Sequence, residues 1–246
     1  MQTLPVFEVM FDAARSGLPL PGPLERAYGG HLELAAEGVF ANFVESVDGV
    51  VALADAATES GGIISGGSEA DRFLMGLLRA CADAVLIGAG TLRAGPRDLW
   101  FPESAFPSAA PLYAAVRTAL GLSPRPRLYV VSGSGRVDPA HPALVEGALI
   151  KGRLGASEIV AAVKADGPRR ILCEGGPGLF AELVAAHQID DLFLTVSPRM
   201  FGRWEGDGRK ALTANRDLAG HHPMTLSSAR RSGSHLFLRY RLRPGA

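Results

Sequence analysis

Short apolar runs alternate along this chain with longer segments in which apolar residues recur at helical spacing. The apolar runs predict buried strands at 39–44, 83–87, 127–131, 147–151, 170–173 and 190–196. Helical spacing predicts helices at 69–82, 112–120 and 156–165, and a further one that begins at Pro177. Such alternation is typical of a mainly parallel sheet with helices on both faces. Two strand patterns near the C-terminus, 224–230 and 235–242, predict a hairpin that adds an antiparallel edge.

The beginning of the chain differs in composition from the rest. Residues 1–38 are rich in proline and glycine, which predicts an irregular arm outside the core with one short helix around Val9–Arg15. Residues 39–246 are predicted to form one α/β domain, because a 246-residue chain with 47% hydrophobic residues can bury a large core. Within this domain a strand is predicted at 50–53, and the small, glycine-rich residues 55–67 predict a mobile loop near a ligand.

Three of the predicted strands end in turns made of glycine and small polar residues. These turns are Glu174-Gly175-Gly176-Pro177-Gly178, Gly88-Ala89-Gly90-Thr91 and Ser132-Gly133-Ser134-Gly135. In sheets of this kind ligands bind beyond the carboxyl ends of the strands. Glycine allows a ligand to approach the backbone, and the helix N-terminus at Pro177 favours a phosphate. The turns therefore predict a phosphate-bearing ligand, with plain strand-to-helix connections as the alternative.

The glycine turns depart from a standard dinucleotide fingerprint. After Gly88 and Gly90 the third glycine is replaced by Arg93, and no helix is predicted before Pro96. Backbone N–H groups and the Thr91 hydroxyl nevertheless suit a phosphate or a nicotinamide, against the alternative of a plain turn. The hydroxyls and the guanidinium of 132–136 favour NADP over NAD.

Two carboxylates are candidates for chemistry. Glu174 ends a buried strand, where lost solvation favours the protonated form unless the group is paired, and this suits a proton donor or a ligand for hydroxyl groups. Asp48 precedes Gly49 between two strand patterns, so the residues alone favour a hairpin turn. Arg79 lies near a helix C-terminus, where the helix dipole alone explains a cation.

Composition argues against several classes of protein. The chain has 25 basic and 25 acidic residues, so no global field attracts nucleic acid or a membrane surface. Neither a signal peptide nor a run of about 18 apolar residues occurs. Both cysteines, Cys81 and Cys173, lie in apolar segments, which predicts a reducing, cytoplasmic setting. Histidine spacing, nucleophile-elbow motifs and P-loop motifs give no sign of a metal site or a hydrolase, and we predict no bound metal.

Four motifs in this order resemble one family, the pyrimidine reductases of riboflavin biosynthesis, which share the fold of dihydrofolate reductase. The motifs are Asn42-x-x-x-Ser46-Val47-Asp48-Gly49, Leu78-Arg79 through Gly88-Ala89-Gly90-Thr91, Glu174-Gly175-Gly176-Pro177-x-Leu179, and Asp190-Asp191-Leu192 leading to Ser197-Pro198-x-x-x-Gly202. The resemblance covers roughly residues 39–243. It implies a three-layer α/β/α fold and a homodimer. Because the deaminase motifs of two-domain members are absent, it also implies a stand-alone reductase.

The resemblance implies hydride transfer from NADPH to a phosphorylated ribosylaminopyrimidine, whose ribosyl group becomes a ribityl chain. It gives catalytic roles to Asp48 and Glu174. The cofactor contacts that we infer are Val44, Gly88, Gly90, Thr91, Ser132, Gly175, Gly176, Pro177, Gly178 and Leu179. The substrate contacts that we infer are Asn42, Ser46, Ser65, Arg79 and Glu174.

The chain departs from the family pattern on the substrate side. Where many members read Ser-x-Trp-Ile-Ser/Thr, this chain has Gly61-Gly62-Ile63-Ile64-Ser65, and Ala94–Asp98 replaces an Ala-Asp-Asp-Pro run. Two alternatives therefore stay open beside the pyrimidine reductase. One is a paralogue that reduces a pterin or dihydrofolate, and the other is an NADPH-binding protein without catalytic activity.

Overall fold

The computed structural model describes residues 3–53, 60–204, 206–214, 216–218 and 222–242. Its strands are β1 (Glu8–Asp12), β2 (Gly38–Ser46), β3 (Ala84–Gly88), β4 (Arg127–Ser132), β5 (Ala148–Lys151), β6 (Arg170–Cys173), β7 (Asp191–Ser197), β8 (Thr225–Ser232) and β9 (His235–Arg241). Its α-helices are α1 (Gly22–Tyr28), α2 (Ser60–Ser65), α3 (Glu69–Cys81), α4 (Ala89–Ala94), α5 (Pro102–Ala105), α6 (Ala110–Ala119), α7 (Ala156–Ala165) and α8 (Pro177–Ala185). Short 3₁₀ helices cover Pro107–Ala109 and Pro142–Leu144.

The nine strands form one sheet in the order β1-β8-β9-β7-β2-β6-β3-β4-β5. The six strands from β7 to β5 are parallel, and β9, β8 and β1 continue the sheet by antiparallel pairing. The predicted parallel sheet and its antiparallel C-terminal hairpin are confirmed. The central strand β2 lies between β6 and β7, so its end is next to the ends of both.

Each face of the sheet carries its own hydrophobic core, because successive strand residues point to opposite faces. On one face Phe40 packs in a core with Phe73 of α3. On the other face Val39 and Ala41 pack in a core with Phe180 of α8. Complete burial of a side chain of this size stabilises the fold by about 1.5–3 kcal/mol. The predicted three-layer α/β/α arrangement is therefore confirmed.

The beginning of the chain is more regular than predicted. The helix predicted around Val9–Arg15 is wrong, because residues 8–12 form β1 and pair with the otherwise free edge of β8. The helix of this segment is α1, which ends at Gly29 in the left-handed conformation. Leu24 and Leu32 are completely buried, so the segment contributes to the main core and does not only lie on its surface. The division between an arm and a domain at residue 38 stays a prediction.

The structure differs from three further predictions about local segments of the chain. Residues 50–53 form no strand and make one isolated bridge, between Ala52 and Lys210. The loop predicted at 55–67 lies partly outside the described residues, and its later part contains the helix α2. A short helix, α4, begins directly after Gly88, where none was predicted.

Among the described residues, none of the helices has the length and apolarity needed to span a membrane.

Candidate active site

The carboxyl ends of the parallel strands bring the predicted site residues to one edge of the sheet. Five of these strands end at Ser46, Gly88, Ser132, Cys173 and Ser197. Because β2, β3, β6 and β7 are neighbours in one parallel sheet, motifs far apart in sequence meet there. This edge is where ligands bind in open α/β sheets.

The glycine turns after β3 and β6 contact each other directly. The N–H of Gly88 donates to the carbonyl oxygen of Gly175 at 2.7 Å. A Cβ atom added to Gly175 or Gly176 would lie 3.3 or 3.2 Å from the Thr91 hydroxyl, and Gly175 has a φ of +114°. The peptide between the two glycines is cis. A side chain at Gly175 would be strained because of its positive φ, and the turn after β6 packs closely against the Thr91 hydroxyl.

The N-terminus of α8 adds further main-chain groups beside these two glycine turns. Gly176 precedes the helix without a side-chain cap, and Pro177 occupies its first turn. The first N–H groups of a helix have no partner within it and favour an anion. Gly178 and Gly90 are exposed, and Leu179 is half-buried beside Gly88, 3.9 Å from the position of an added Cβ. These predicted cofactor contacts therefore share one surface.

The turn after β4 is lined by cations. Ser132 is buried and pairs in register with Lys151 of β5. The side chains of Lys151 and Arg153 lie over the glycines of the turn, 3.6 and 3.9 Å from the Cβ positions of Gly135 and Gly133. Neither cation forms an ion pair with a carboxylate in the described part of the chain. The aliphatic parts of two cationic side chains thus pack beside the predicted hydroxyl-rich turn, which the sequence motif alone did not indicate.

Arg79 and Glu174 form a buried ion pair. Nε of Arg79 lies 3.0 Å from both carboxylate oxygens, and Nη2 lies 2.7 Å from Oε2. Their side chains are only 8% and 5% exposed. Arg79 also donates to the carbonyl oxygen of Phe101 at 3.3 Å. The two residues predicted to contact substrate therefore join α3, β6 and the segment before α5.

Asp48 joins two loops at the end of β2. Its carboxylate accepts hydrogen bonds from the Ser46 hydroxyl and from the N–H groups of Phe201 and Gly202, the latter at 2.6 Å. Ser46 in turn accepts from the N–H of Val50 at 2.9 Å. The Ser46 hydroxyl, with the two N–H groups, lowers the pKa of Asp48. The residue lies in a turn and stays ionised at neutral pH, but the predicted hairpin is wrong, because residues 50–53 form no strand.

The other predicted substrate contacts lie on β2 and α2. Asn42 and Val44 pair in register with Phe193 and Thr195 of β7. The Val44 side chain faces α2, 3.9 Å from the position of a Cβ added to Gly61. Ser65 is buried at the end of α2 and its hydroxyl donates to the Gly62 carbonyl oxygen at 3.2 Å. The altered segment 61–65 therefore covers the end of β2 as a helix.

Asp71 is a further candidate, and it belongs to none of the motifs found in the sequence. Asp71, Met75 and Arg79 follow one another at four-residue spacing along α3. That spacing puts them on one stripe, and Arg79 Nη2 lies 3.4 Å from Met75 Sδ. Burial raises the pKa of Asp71 to about 6, while Thr195 and His235 oppose this and Glu174 adds to it. The i, i+4, i+8 pattern was the available signal.

Two other features contain none of the predicted site residues. Both cysteines are buried and free, and burial raises the pKa of each thiol to about 12, which makes them inert. A groove of about 650 Å³ between α5, α6 and residues 123–125 is lined by Glu103, Tyr113 and Arg117, with none of the predicted site residues in it.

Within the described ranges no group of three or more His, Cys, Asp or Glu side chains could hold a metal ion.

Comparison with known families gives a match over most of the chain. The model of the RibD C-terminal domain family matches residues 38–218, which is most of the chain. The chain belongs to the RibD C-terminal domain family. The matched region contains every predicted site residue of this RibD C-terminal domain. Comparison with curated proteins gives no match.

Solved structures share the fold of this RibD C-terminal domain at low sequence identity. A pyrimidine reductase-like protein from Corynebacterium diphtheriae is 20% identical, with a TM-score of 0.67 over 85% of this chain and 93% of that one. Acinetobacter baumannii RibD (form 1) is 18% identical, with a TM-score of 0.66 over 85% of this chain and 58% of its own. A Thermotoga maritima diaminohydroxyphosphoribosylaminopyrimidine deaminase/5-amino-6-(5-phosphoribosylamino)uracil reductase is 17% identical, with a TM-score of 0.59, and is covered over 57% of its length.

The similar structures confirm the predicted α/β fold, and the family model confirms the family resemblance. The chain spans little more than half of the Acinetobacter and Thermotoga proteins. The roles predicted for individual site residues stay predictions.

Proposed function

We propose that this protein is an NADPH-dependent reductase of a 5-amino-6-(5-phosphoribosylamino)uracil-type pyrimidine, which converts the ribosyl group into a ribityl chain. The observation that carries the proposal is the contact between the glycine turns after β3 and β6, where the Gly88 N–H meets the Gly175 carbonyl beside Thr91. Family membership and the reductase names of the similar structures support the same reaction class.

The residues at the strand ends fit NADPH. Exposed backbone at Gly90 and Gly178, together with the first turn of α8, suits a pyrophosphate. Lys151 and Arg153, which lie over the turn after β4, suit the additional 2′-phosphate that distinguishes NADPH from NADH. The bound cofactor would supply the hydride. The protein would hold it beside Val44 and exclude water.

The substrate side is built from the residues around Val44 and Thr195. Helix α2 covers this part of β2, and the ion pair of Arg79 with Glu174 fixes the adjoining end of β6. Positioning of this kind can account for much of the rate, because correct orientation replaces a bimolecular encounter.

We also propose that the protein is a cytoplasmic homodimer that acts on a small molecule. Support for self-association is the edge strand β1, where Val9, Met10 and Phe11 are 44%, 59% and 46% exposed. An apolar edge strand with free backbone groups is suited to pairing with another chain. Sedimentation of the purified protein at increasing concentration tests this, and a monomer at all concentrations contradicts it.

Two measurements in sequence test the proposed function. Fluorescence titration is expected to give tighter binding of NADPH than of NADH. A single-turnover assay with the ribosylaminopyrimidine should then show stoichiometric oxidation of NADPH. Oxidation with dihydrofolate but not with the pyrimidine would favour the pterin reductase, and tight NADPH binding without turnover on either would favour a binding protein. Failure to bind either dinucleotide would contradict the proposed NADPH-dependent reductase.

A further inference from the structure

The first turn of α3 places one carboxyl group under the substrate side of the proposed site. Asp71 follows the cap residue Ser68, whose hydroxyl accepts from the Asp71 N–H at 3.3 Å. Its carboxyl group is close to the Thr195 hydroxyl, which is buried and makes no hydrogen bond of standard length to any described residue. Thr195 pairs with Val44 across β7 and β2. Asp71 therefore reaches the strand position at which the hydride is proposed to be delivered.

The other carboxylates at this edge are already engaged. Glu174 accepts three hydrogen bonds from Arg79, and Asp48 accepts from Ser46 and two backbone N–H groups. Glu45 lies on the face of β2 that carries Phe43, opposite the face of Val44. Asp71 is the remaining carboxyl group at the substrate side: within the described ranges its oxygens pair with no cation or backbone N–H, and the Thr195 hydroxyl is its polar neighbour.

The surroundings of Asp71 favour its protonated form. Burial is the main cause, and the Glu174 carboxylate after β6 acts in the same direction. Thr195 of β7, His235 of β9 and Arg72 on the same helix oppose it. His235 is itself held through its Nε2, 2.8 Å from the Ser65 carbonyl oxygen. The pKa of Asp71 is thereby raised to about 6, close to the pH at which a general acid is effective.

We propose that Asp71 is the general acid of this reductase, which donates a proton to the substrate nitrogen as the adjoining carbon receives hydride. This inference rests on the proposed function. The substrate carbon–nitrogen double bond takes up one hydride at carbon and one proton at nitrogen and becomes a single bond. The bound reduced nicotinamide cofactor would supply that hydride and would be oxidised by its loss. Asp71 is left as a carboxylate and recovers its proton from water.

The test compares Asp71→Asn with Glu69→Gln, a matched control two residues earlier on α3 whose side chain is 52% exposed. Both variants are measured for NADPH affinity and for single-turnover oxidation of NADPH with saturating pyrimidine between about pH 5 and 8. The wild-type rate is expected to fall as pH rises above about 6, because the protonated fraction of Asp71 falls. Asp71→Asn should be slower by about 10²–10⁴-fold without this pH dependence. Asp71→Glu should recover part of the rate, and Glu69→Gln should equal the wild type.

A second readout is independent of turnover. A carboxyl group with a raised pKa destabilises the folded protein above that pKa, and this penalty is absent below the unfolded value. Asp71→Asn should therefore raise the melting temperature at about pH 8 and leave it nearly unchanged at about pH 3, with no such gain for Glu69→Gln. The absence of this gain, or turnover by Asp71→Asn within about threefold of wild type, overturns the assignment. Wild-type protein that binds NADPH but does not oxidise it with the pyrimidine overturns the proposed function, and the general-acid role with it.

Discussion

The two halves of the proposed site are built from different materials. The cofactor half, formed by the turns after β3, β4 and β6, presents mainly backbone groups, at exposed glycines such as Gly90 and Gly178. The substrate half, formed by α2, α3 and the ends of β2 and β7, presents side chains, among them Asp71 and Thr195. A backbone surface depends on main-chain conformation, whereas a side-chain surface depends on pairing between charges. Mutations in the two halves should therefore have different effects on stability and on ligand binding.

The largest effect is expected from breaking the ion pair at the border of the two halves. Arg79→Met should lower the free energy of unfolding by about 3–5 kcal/mol, because it leaves the buried carboxylate of Glu174 unpaired. Urea denaturation at pH 7 measures this. Arg72→Met is the control, since its side chain is 49% exposed and its loss should be within about 0.5 kcal/mol. A loss below about 1 kcal/mol for Arg79→Met would show that the pair does not hold this border.

The next largest effect concerns the cofactor half alone. Gly175→Ala should weaken NADPH binding by roughly 10–100-fold, since the residue has a φ of +114° and its Cβ would lie 3.3 Å from the Thr91 hydroxyl. Fluorescence titration measures the affinity. Gly167→Ala is matched for backbone strain, with a φ of +107° and no atom within 4 Å of its Cβ. Equal NADPH affinities for the two variants would remove the turn from the cofactor site.

A smaller effect should separate the two phosphates of the cofactor half. The double variant Lys151→Gln/Arg153→Gln should reduce the preference for NADPH over NADH about tenfold, because two charged contacts to the 2′-phosphate are lost. Binding of both dinucleotides is titrated. Lys164→Gln, an exposed lysine on α7, should leave the ratio unchanged. An unchanged ratio in the double variant would place the 2′-phosphate elsewhere.

The smallest effect is expected at Asp48, which supports a loop. The lowered pKa of this group means that its contribution to stability is present above about pH 4 and is lost as pH falls through the folded-state pKa. Asp48→Asn should lower stability by on the order of 0.5–1 kcal/mol at pH 7 and by almost nothing at about pH 2. Urea denaturation at both values measures this. A 100-fold loss of turnover with unchanged stability would instead support the catalytic role that the family resemblance implies.

The cofactor half could be predicted from sequence because its signals are local. An apolar run followed by glycines and Pro177 specifies strand, turn and helix within about ten residues. The helix α7 and the strand β6 were predicted with their observed bounds. The short helix α4 was not predicted, because six residues give too little periodicity to separate a helix from a turn.

The substrate half and the chain beginning depend on distant contacts. Residues 8–12 became a strand because β8 has a free edge more than 200 residues later, and no local pattern shows that partner. The role of Arg79 as an ion-pair partner likewise depends on Glu174, which only the parallel sheet brings near. The altered segment 61–65 could be recognised as unusual, but its helical form over Val44 could not be deduced from composition.

Strand β2 contributes side chains to both halves of the site, one half on each of its faces. Phe43 faces Phe180 at a ring distance of 4.8 Å and lies 3.8 Å from the position of a Cβ added to Gly175, whereas the next residue, Val44, faces α2. Inserting or deleting one residue before Phe43 would rotate the strand by half a repeat and exchange these two contacts. Grafting experiments that swap substrate specificity between related proteins should therefore keep this strand intact and replace α2 and α3 around it.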